Sequence, residues 1–452
     1  MKTRTLHLVS LGCAKNFVDS ENILGHFVNA GYQVVEEPYD AEVLLVNTCG
    51  FIQPAVEESI DEILGIAQVK EETGALLVVT GCMVQRYGEQ LRKELPEVDL
   101  FVAIDEQPQL VRLVTTWPDT DNPSLTGAPS RMLLDSSAPR ELATPPFRAF
   151  LKLTEGCDNH CSYCMIPSIR GQLRSRSIND LCREACRLEA SGVRELSLIA
   201  QDLTAYGDDH RDNPGEAPTL SRLLKALLAC TNIPWIRLLY LYPTRLDSRL
   251  LQLMACEPRL VPYVDVPFQH AATPVLKAMN RHYSTDDLDT LLKMIRSEYP
   301  DCAIRTTFMV GFPGETSADF SLLMECLQRW QLDHVGGFTY QDEEECRAHR
   351  FTSKVPAAVA EERLQRLMGA QAEISRTRLA QKVGQVEEVL VEGVSSESDL
   401  LLEGRLRSQA PDVDGVVYLT SGTAVPGEIR QVRITEAHTY DLVGELCEKT
   451  VG

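Results

Sequence analysis

The chain has 452 residues, 44% of them hydrophobic and 24% charged, and a net charge of −21. That is enough for about three domains with sizeable cores, and it excludes wholesale disorder. The acidic balance repels phosphate backbones, so nucleic-acid binding would need a local basic stripe, whereas a basic protein partner is attracted. No run of 18 apolar residues occurs, so no transmembrane helix is expected. Met1 to Ser10 already reads as an alternating strand with no signal peptide before it, which predicts a cytoplasmic protein. Fourteen cysteines in such a chain argue against a disulfide framework and for metal chemistry or plain burial.

Residues 1–117 alternate apolar runs with helix-period stretches and predict an N-terminal parallel α/β domain. Its strands fall at Thr5 to Ser10, Glu42 to Asn47 and Leu76 to Thr80, its helices at Asp19 to Ala30 and Glu57 to Glu72. Residues 118–147 carry Pro118, Pro123, Pro129, Pro139, Pro145 and Pro146 among Ser, Thr and Asp, the composition of a linker or irregular crossover. A second α/β pattern fills 148–382. Apolar runs recur at Phe150 to Leu153, Glu195 to Ile199, Trp235 to Tyr240, Tyr263 to Val266, Ile304 to Val310 and Val335 to Tyr340. Helical stretches lie between them, one of them (Leu288 to Tyr299) opened by a cap at Ser284 or Thr285. Six strand–helix units suggest a partial β/α barrel, because a full eight-unit barrel needs more chain. A polar helix runs from Pro356 to about Lys382. Residues 383–449 then hold four short β-rich segments at Val386 to Val391, Asp399 to Leu406, Val416 to Leu419 and Ile429 to Ile434. With glycine turns between them, they predict a small antiparallel β-barrel.

Cys157, Cys161 and Cys164 form a Cys-x3-Cys-x2-Cys cluster with Tyr163 just before its last member. Three thiolates at this spacing can hold three corners of a 4Fe–4S cube and leave the fourth iron open to a small molecule. The competing reading is structural zinc, which takes four protein ligands. His160 directly precedes Cys161, which makes joint chelation of one ion awkward, and no second cysteine pair follows at zinc-ribbon spacing. Iron–sulfur is therefore the favoured reading.

Cys13, Cys49 and Cys82 have no metal signature in their spacing, but each follows a predicted strand within about three residues. The carboxyl ends of parallel strands share one edge, where ligands bind. Gly12, Gly50 and Gly81 flank the three cysteines and permit close backbone approach. Any one of these thiols read alone is a small buried hydrophobe. Three at equivalent strand ends favour a second iron–sulfur cluster. Cys182 and Cys186, four apart on a helix, read as packing or surface residues.

These residues carry a resemblance to the radical SAM methylthiotransferases over essentially the whole chain. It rests on Cys13 with Lys15-Asn16 and Asp19-Ser20-Glu21, on Asn47-Thr48-Cys49-Gly50-Phe51-Ile52, and on Gly81-Cys82. It rests also on Glu155 to Cys164 with Ile166-Pro167, on Arg170-Gly171 to Arg176, and on Gly311-Phe312-Pro313-Gly314-Glu315-Thr316. The C-terminal barrel resembles a TRAM domain. Ala200-Gln201-Asp202 with Thr204 and Tyr206-Gly207, Pro267-Phe268-Gln269-His270, and Tyr440-Asp441-Leu442-Val443-Gly444 are similar to the subclass acting on an aspartate of ribosomal protein S twelve. The other subclass acts on an adenosine of tRNA. Residues 384–452 hold 13 acids against 5 bases, a net of −8. That suits a basic ribosomal protein rather than tRNA. One departure stands out: Glu343-Glu344 are followed by Glu345-Cys346 where the family has Gly-Thr, and Cys346 is not expected to be a ligand.

The resemblance implies two 4Fe–4S clusters, one on Cys157, Cys161 and Cys164 that binds S-adenosylmethionine (SAM), the other on Cys13, Cys49 and Cys82. It implies SAM contacts from Tyr163, Gln201 and Asp202, with packing (Tyr163) or capping (Gln201, Asp202) as the plain structural alternative, and backbone approach to SAM at Gly311 and Gly314. Arg174 and Arg176 are candidates to bind a carboxylate, and His270 either faces the cavity or is structural. The implied partners are ribosomal protein S twelve, docked through the acidic TRAM barrel, and an electron donor such as flavodoxin or ferredoxin, with no membrane and no tRNA. The competing activities are a tRNA adenosine methylthiotransferase and a non-enzymatic RNA-binding TRAM protein with structural metal.

Overall fold

The computed structural model describes residues 4–119, 125, 127–210 and 217–448. Pro123 and the last predicted residue of the C-terminal barrel, Lys449, lie outside them. The N-terminal sheet contains β1 (Thr5–Ser10), β2 (Gln33–Val34), β3 (Val43–Thr48), β4 (Leu76–Gly81) and β5 (Leu100–Val102), all parallel, in the order β2-β1-β3-β4-β5. Strand β3 is buried along its whole length, as a parallel strand covered on both faces must be. Its alternate residues serve different cores. Leu44 and Val46 pack with Ile63 and Ile66 of the helix Gln53–Thr73, whereas Val43 and Leu45 pack with Ile23 and Phe27 of the helix Ala14–Asn29. That last helix begins five residues before its predicted start, which places Cys13 at its N-cap.

The central sheet has six parallel strands: β6 (Arg148–Lys152), β9 (Glu195–Ile199), β10 (Trp235–Leu238), β11 (Leu260–Asp265), β12 (Ala303–Val310) and β13 (His334–Thr339), joined in chain order. Two short strands, β7 (Thr154–Glu155) and β8 (Arg174–Ser175), pair antiparallel across the base of the cysteine loop. Helices cover the outside, and the predicted cap Ser284 forms a full capping box with Asp287. The trailing helix Ala357–Ala380 lies against β13. Gly337 makes this possible, since a Cβ there would stand 2.8 Å from Leu364 Cδ1.

The C-terminal barrel closes from five strands, β14 (Val386–Ser395), β15 (Ser398–Leu406), β16 (Val417–Leu419), β17 (Ile429–Ala437) and β18 (Leu442–Leu446). Four pairings are antiparallel as expected, and the fifth, β16 with β18, is parallel. Leu390 and Ala410 of this barrel join a core with Phe150, Trp235 and Tyr263 of the central sheet. A buried ion network adds to the seam: Glu195 meets Arg237 at 2.7 Å and Arg405 at 2.5 Å.

The proline-rich stretch is an irregular strap bonded on both sides. Arg140 bridges Glu21 of the N-terminal helix and Glu184 of the helix Ile178–Ala190, at 2.6 and 2.5 Å. Among the described residues no helix is long and apolar enough to cross a membrane.

Candidate active site

The carboxyl ends of β1, β3 and β4 deliver three free thiols. Cys49 directly follows β3, Cys82 directly follows β4, and Cys13 opens its helix three residues after β1. Gly12, at φ +91°, sits so close that a Cβ on it would stand 2.8 Å from Cys49 Cβ. Gly81, at φ +103°, turns the chain where a Cβ would collide with Thr48 backbone at 2.6 Å. Burial pushes the Cys49 thiol up to about 11 and raises Cys82 as well. At Cys13 burial also raises the thiol, but the Lys15 ammonium, backbone N–H groups at its helix start and Arg170 outweigh it and hold the group below its usual range.

Arg170 ties this edge to the central barrel. It is buried, with Nη2 3.3 Å from Cys82 Sγ and 3.1 Å from Asn16 Oδ1, and Nη1 2.7 Å from Asp19 Oδ2 and 3.4 Å from Glu155 Oε2. Lys152 closes the network onto the same two carboxylates.

The second set of thiols lies on the loop after β7. His160 turns that loop in the left-handed region at φ 49°, and its carbonyl accepts a 2.8 Å bond from Asn280. His160 is thus a corner of the loop. Burial pushes Cys157 up to about 11 and Cys164 well above its usual value. Four of the six thiols, Cys49, Cys82, Cys157 and Cys164, are raised by burial, and a positive ligand would deprotonate them. Among the described residues no group of three Cys, His or acid side chains forms a single-ion site. Ligands to one zinc all stand about 2.3 Å from it, whereas a cube gives each thiolate its own iron and spaces them wider. The donor set of two free thiol triads, with glycines clearing the approach, fits cubes.

A cavity of about 260 Å³ opens beside the second set and reaches residues next to the first. Cys157, Cys161, Cys164, Tyr163, Gln201 and Asp202 line one part of it; Lys15 and Phe51, neighbours of Cys13 and Cys49, line another. Asp202 is fixed by Asn159 at 2.7 Å, by Arg245 at 2.5 Å, and by Thr204 and the Ala205 N–H. Gly311 and Gly314 do not line the cavity. A Cβ on Gly311 would meet Ala360 Cβ at 2.4 Å, and the Gly314 N–H is bonded to Ser353 O at 2.7 Å. Both glycines shape the end of β12 instead.

Several other expectations resolve in the same way. Arg174 donates to the carbonyls of Gln172, Met132 and Arg170, and Arg176 to Asp180, Glu184 and the Lys152 carbonyl, so neither offers its fork to a ligand. His270 is fully buried; its Nδ1 accepts from the Ala272 N–H at 2.9 Å, which assigns the proton to Nε2, 3.8 Å from Glu315 Oε1. Cys346 is buried beside Cys82, Met165 and Ile169. Cys186 reaches the Cys230 carbonyl at 3.2 Å on the helical outside of the barrel.

Sequence reasoning missed Arg281. It is 6% exposed, stacks on Tyr242 with its guanidinium 4.5 Å from the ring centre, and brings Nη1 to 3.6 Å from Cys161 Sγ. It lies on a loop after a short helix, with no pattern to distinguish it from other arginines.

A six-stranded partial barrel carrying an exposed-mouth cysteine loop defines a radical SAM protein, here extended by a cysteine-edged α/β sheet and a TRAM barrel. Family models agree: residues 5–103 match "Uncharacterized protein family UPF0004", 151–327 the radical SAM superfamily and 383–447 the TRAM domain. Among solved structures, the radical S-adenosylmethionine methyltransferase TsrM from Kitasatospora setae, with cobalamin and a [4Fe-4S] cluster bound, is similar in fold. Its TM-score is 0.56 at 16% identity over 75% of each chain. Curated relatives are far nearer. Ribosomal protein uS12 methylthiotransferase RimO of Desulfotalea psychrophila is 52% identical over 97% of this chain and 98% of its own. The protein of the same name from Sorangium cellulosum is 45% identical over 99% and 92%. The chain belongs to the RimO family of ribosomal protein methylthiotransferases.

Proposed function

We propose that this protein inserts a methylthio group at the β-carbon of an aspartate in small-subunit ribosomal protein S twelve, using two 4Fe–4S clusters and SAM. One observation carries the reading: a single cavity is lined by the Cys157 loop and by the neighbours of Cys13 and Cys49. Cys157, Cys161 and Cys164 hold the SAM-binding cluster, and Cys13, Cys49 and Cys82 the second. When bound, these clusters would supply an electron for the reductive cleavage of one SAM and the sulfur that is inserted, and a second SAM would supply the methyl group. A β-carbon has no useful acidity, which is why hydrogen abstraction rather than a side-chain base is required.

The chain's own residues bind and orient. Arg281, a buried cation beside Cys161 that lines the cavity, sets a positive charge against the methionine carboxylate of SAM. Asp202, held rigid by Asn159 and Arg245, faces its amino group, with Gln201 beside it. Tyr163, edge-on to Phe312 at 6.4 Å, walls the adenine side. The work divides among units at 1–117, 148–382 and 383–449, joined by the strap 118–147.

The acidic barrel docks the basic substrate protein through Glu397, Asp399, Glu436 and Glu445, all exposed. A small redox protein such as flavodoxin or ferredoxin supplies electrons, the site of action is the cytoplasm, and tRNA is not a substrate. Mass spectrometry of ribosomal protein S twelve and of tRNA from a deletion strain tests this. The methylthio group should vanish from the protein alone; its loss from tRNA, with the protein unchanged, would contradict the reading. Reconstituted protein should hold about eight iron atoms per chain. One zinc per chain and no SAM cleavage would favour an RNA-binding TRAM protein instead.

A further inference from the structure

Buried cations in this chain are usually matched by carboxylates. Lys152 and Arg170 face Asp19 and Glu155, Arg140 bridges Glu21 and Glu184, and Arg237 and Arg405 share Glu195. The matching follows from the cost of burying an unpaired charge. Lys15 and Arg281 depart from it. Each is 6% exposed, each lines the cavity beside the Cys157 loop, and among the described residues neither is ion-paired to a carboxylate. Arg281 is otherwise committed, to Tyr283 Oη at 2.6 Å, to the Pro267 carbonyl at 2.5 Å and to the Cys161 sulfur. Lys15 is held less fully. Its ammonium lies 3.6 Å from the centre of the Tyr240 ring and interacts with the Tyr240 side chain, the Cys13 thiol and, short of an ion pair, the Asp265 carboxylate. None of these is a close carboxylate partner, so the ammonium can still take one.

Lys15 also stands in a particular place. It occupies the first turn of the helix that opens at Cys13, so its stem starts beside the second cluster and its head reaches across to Tyr240 of the barrel. The Cys82 side of that cluster already has its own cation, Arg170 at 3.3 Å. On the opposite wall, Arg281, Asn159 and Asp202 crowd the Cys157 loop. The carbon that receives sulfur must lie between the two walls.

We propose that Lys15 anchors the carboxylate of the substrate aspartate, and so selects an acidic side chain and places its β-carbon between the clusters. The proposal rests on the methylthiolation of aspartate set out above. The β-carbon is one bond from the carboxyl group, so a salt bridge from Lys15 positions it directly and restricts its rotation. Lysine suits the task, with three rotatable donors on a flexible four-carbon stem.

The test pairs two substitutions. Binding of a peptide from the substrate loop of ribosomal protein S twelve, carrying Asp or Asn at the target, is measured on reconstituted holoenzyme, wild type and K15M. Wild type should prefer Asp about 30-fold, the effect of losing one member of a buried charge pair. K15M should reduce that preference to about threefold or less, and K15R should keep part of it. An undiminished Asp preference in K15M overturns the proposal. A separate SAM titration distinguishes the other carboxylate present: weakened SAM binding with the Asp preference intact would assign Lys15 to the methionine part of SAM. Iron content is followed in K15M and in K15Q, which keeps a polar head over Tyr240. Iron loss in both, with the preference intact in the remaining holoenzyme, would make Lys15 a cluster-holding residue and overturn the proposal. If wild type neither binds nor modifies the Asp peptide, the function itself is misread, and Lys15 is not at fault.

Discussion

Arg170→Met removes the cation that joins the N-terminal sheet to the barrel. Methionine keeps much of the side chain's volume and none of its charge. Asp19 and Glu155, both buried, would then face Lys152 alone, and Asn16 Oδ1 and Cys82 Sγ would each lose a donor. Breaking a buried pair by removing one partner costs about 3–5 kcal/mol. The lost 2.7 Å contact to Asp19 and 3.4 Å contact to Glu155 place R170M in that range. The cost should also depend on pH. Burial tends to raise the Asp19 carboxyl, but Lys152 and Arg170 outweigh it and hold the group below the usual range. A carboxyl depressed by folding stabilises the fold above its unfolded pKa and loses that contribution as pH falls. With Arg170 gone, the Asp19 carboxyl is depressed less, so R170M has less of this contribution left to lose below the usual 3.8, and its deficit against wild type narrows there. Denaturant titrations of wild type and R170M at pH 7 and about pH 3 measure the stability difference, and iron analysis measures retention of the Cys13/Cys49/Cys82 cluster. Stability within about 1 kcal/mol of wild type, with full iron, would refute this account of the network.

Glu195 offers a second pH test. Burial raises its carboxyl, but Arg405 and Arg237 prevail and hold it at about 2. Against the usual 4.5 that gap corresponds to about 3.4 kcal/mol, present above pH 4.5 and lost as pH falls toward 2. E195Q should loosen the C-terminal barrel at pH 7, seen as faster amide exchange in Leu390 and Arg405; unchanged exchange would contradict the seam. Arg281→Ala should weaken SAM binding about 30-fold by calorimetry, and an unchanged affinity would remove Arg281 from the SAM site. Replacing Glu397, Asp399, Glu436 and Glu445 by their amides should slow association with ribosomal protein S twelve and flatten its salt dependence. Association that stays fast and salt-dependent would place docking elsewhere.

The six cysteines were legible because cluster ligation needs one particular atom, and few residue types supply it. The strands behind them were legible because parallel strands buried on both faces read as unbroken apolar runs, as in Val43–Thr48. Strands β2 and β5 were not, being two and three residues long, and neither was β18, a five-residue segment read only as a family motif. Charge was the harder quantity. The net of −8 in the C-terminal segment suggested a docking face, yet Asp412 and Glu392 pair with Arg148, Asp414 accepts from Tyr263, and Glu388 faces Arg407. Glu388 is spent within the barrel and the other three hold the barrel to its neighbour, so the surface left for a partner is a smaller set. Lys15 and Arg281 pose the converse case. Forty-four lysines and arginines are spread along the chain, and periodicity alone assigns them to solvent. What singles these two out is burial without an ion-paired carboxylate, where a helix from one sheet and a loop from another close on the same cavity. A ligand that must be anionic at two places, as SAM beside an aspartate is, accounts for both at once. A single anion would leave one of the two cations unpaired.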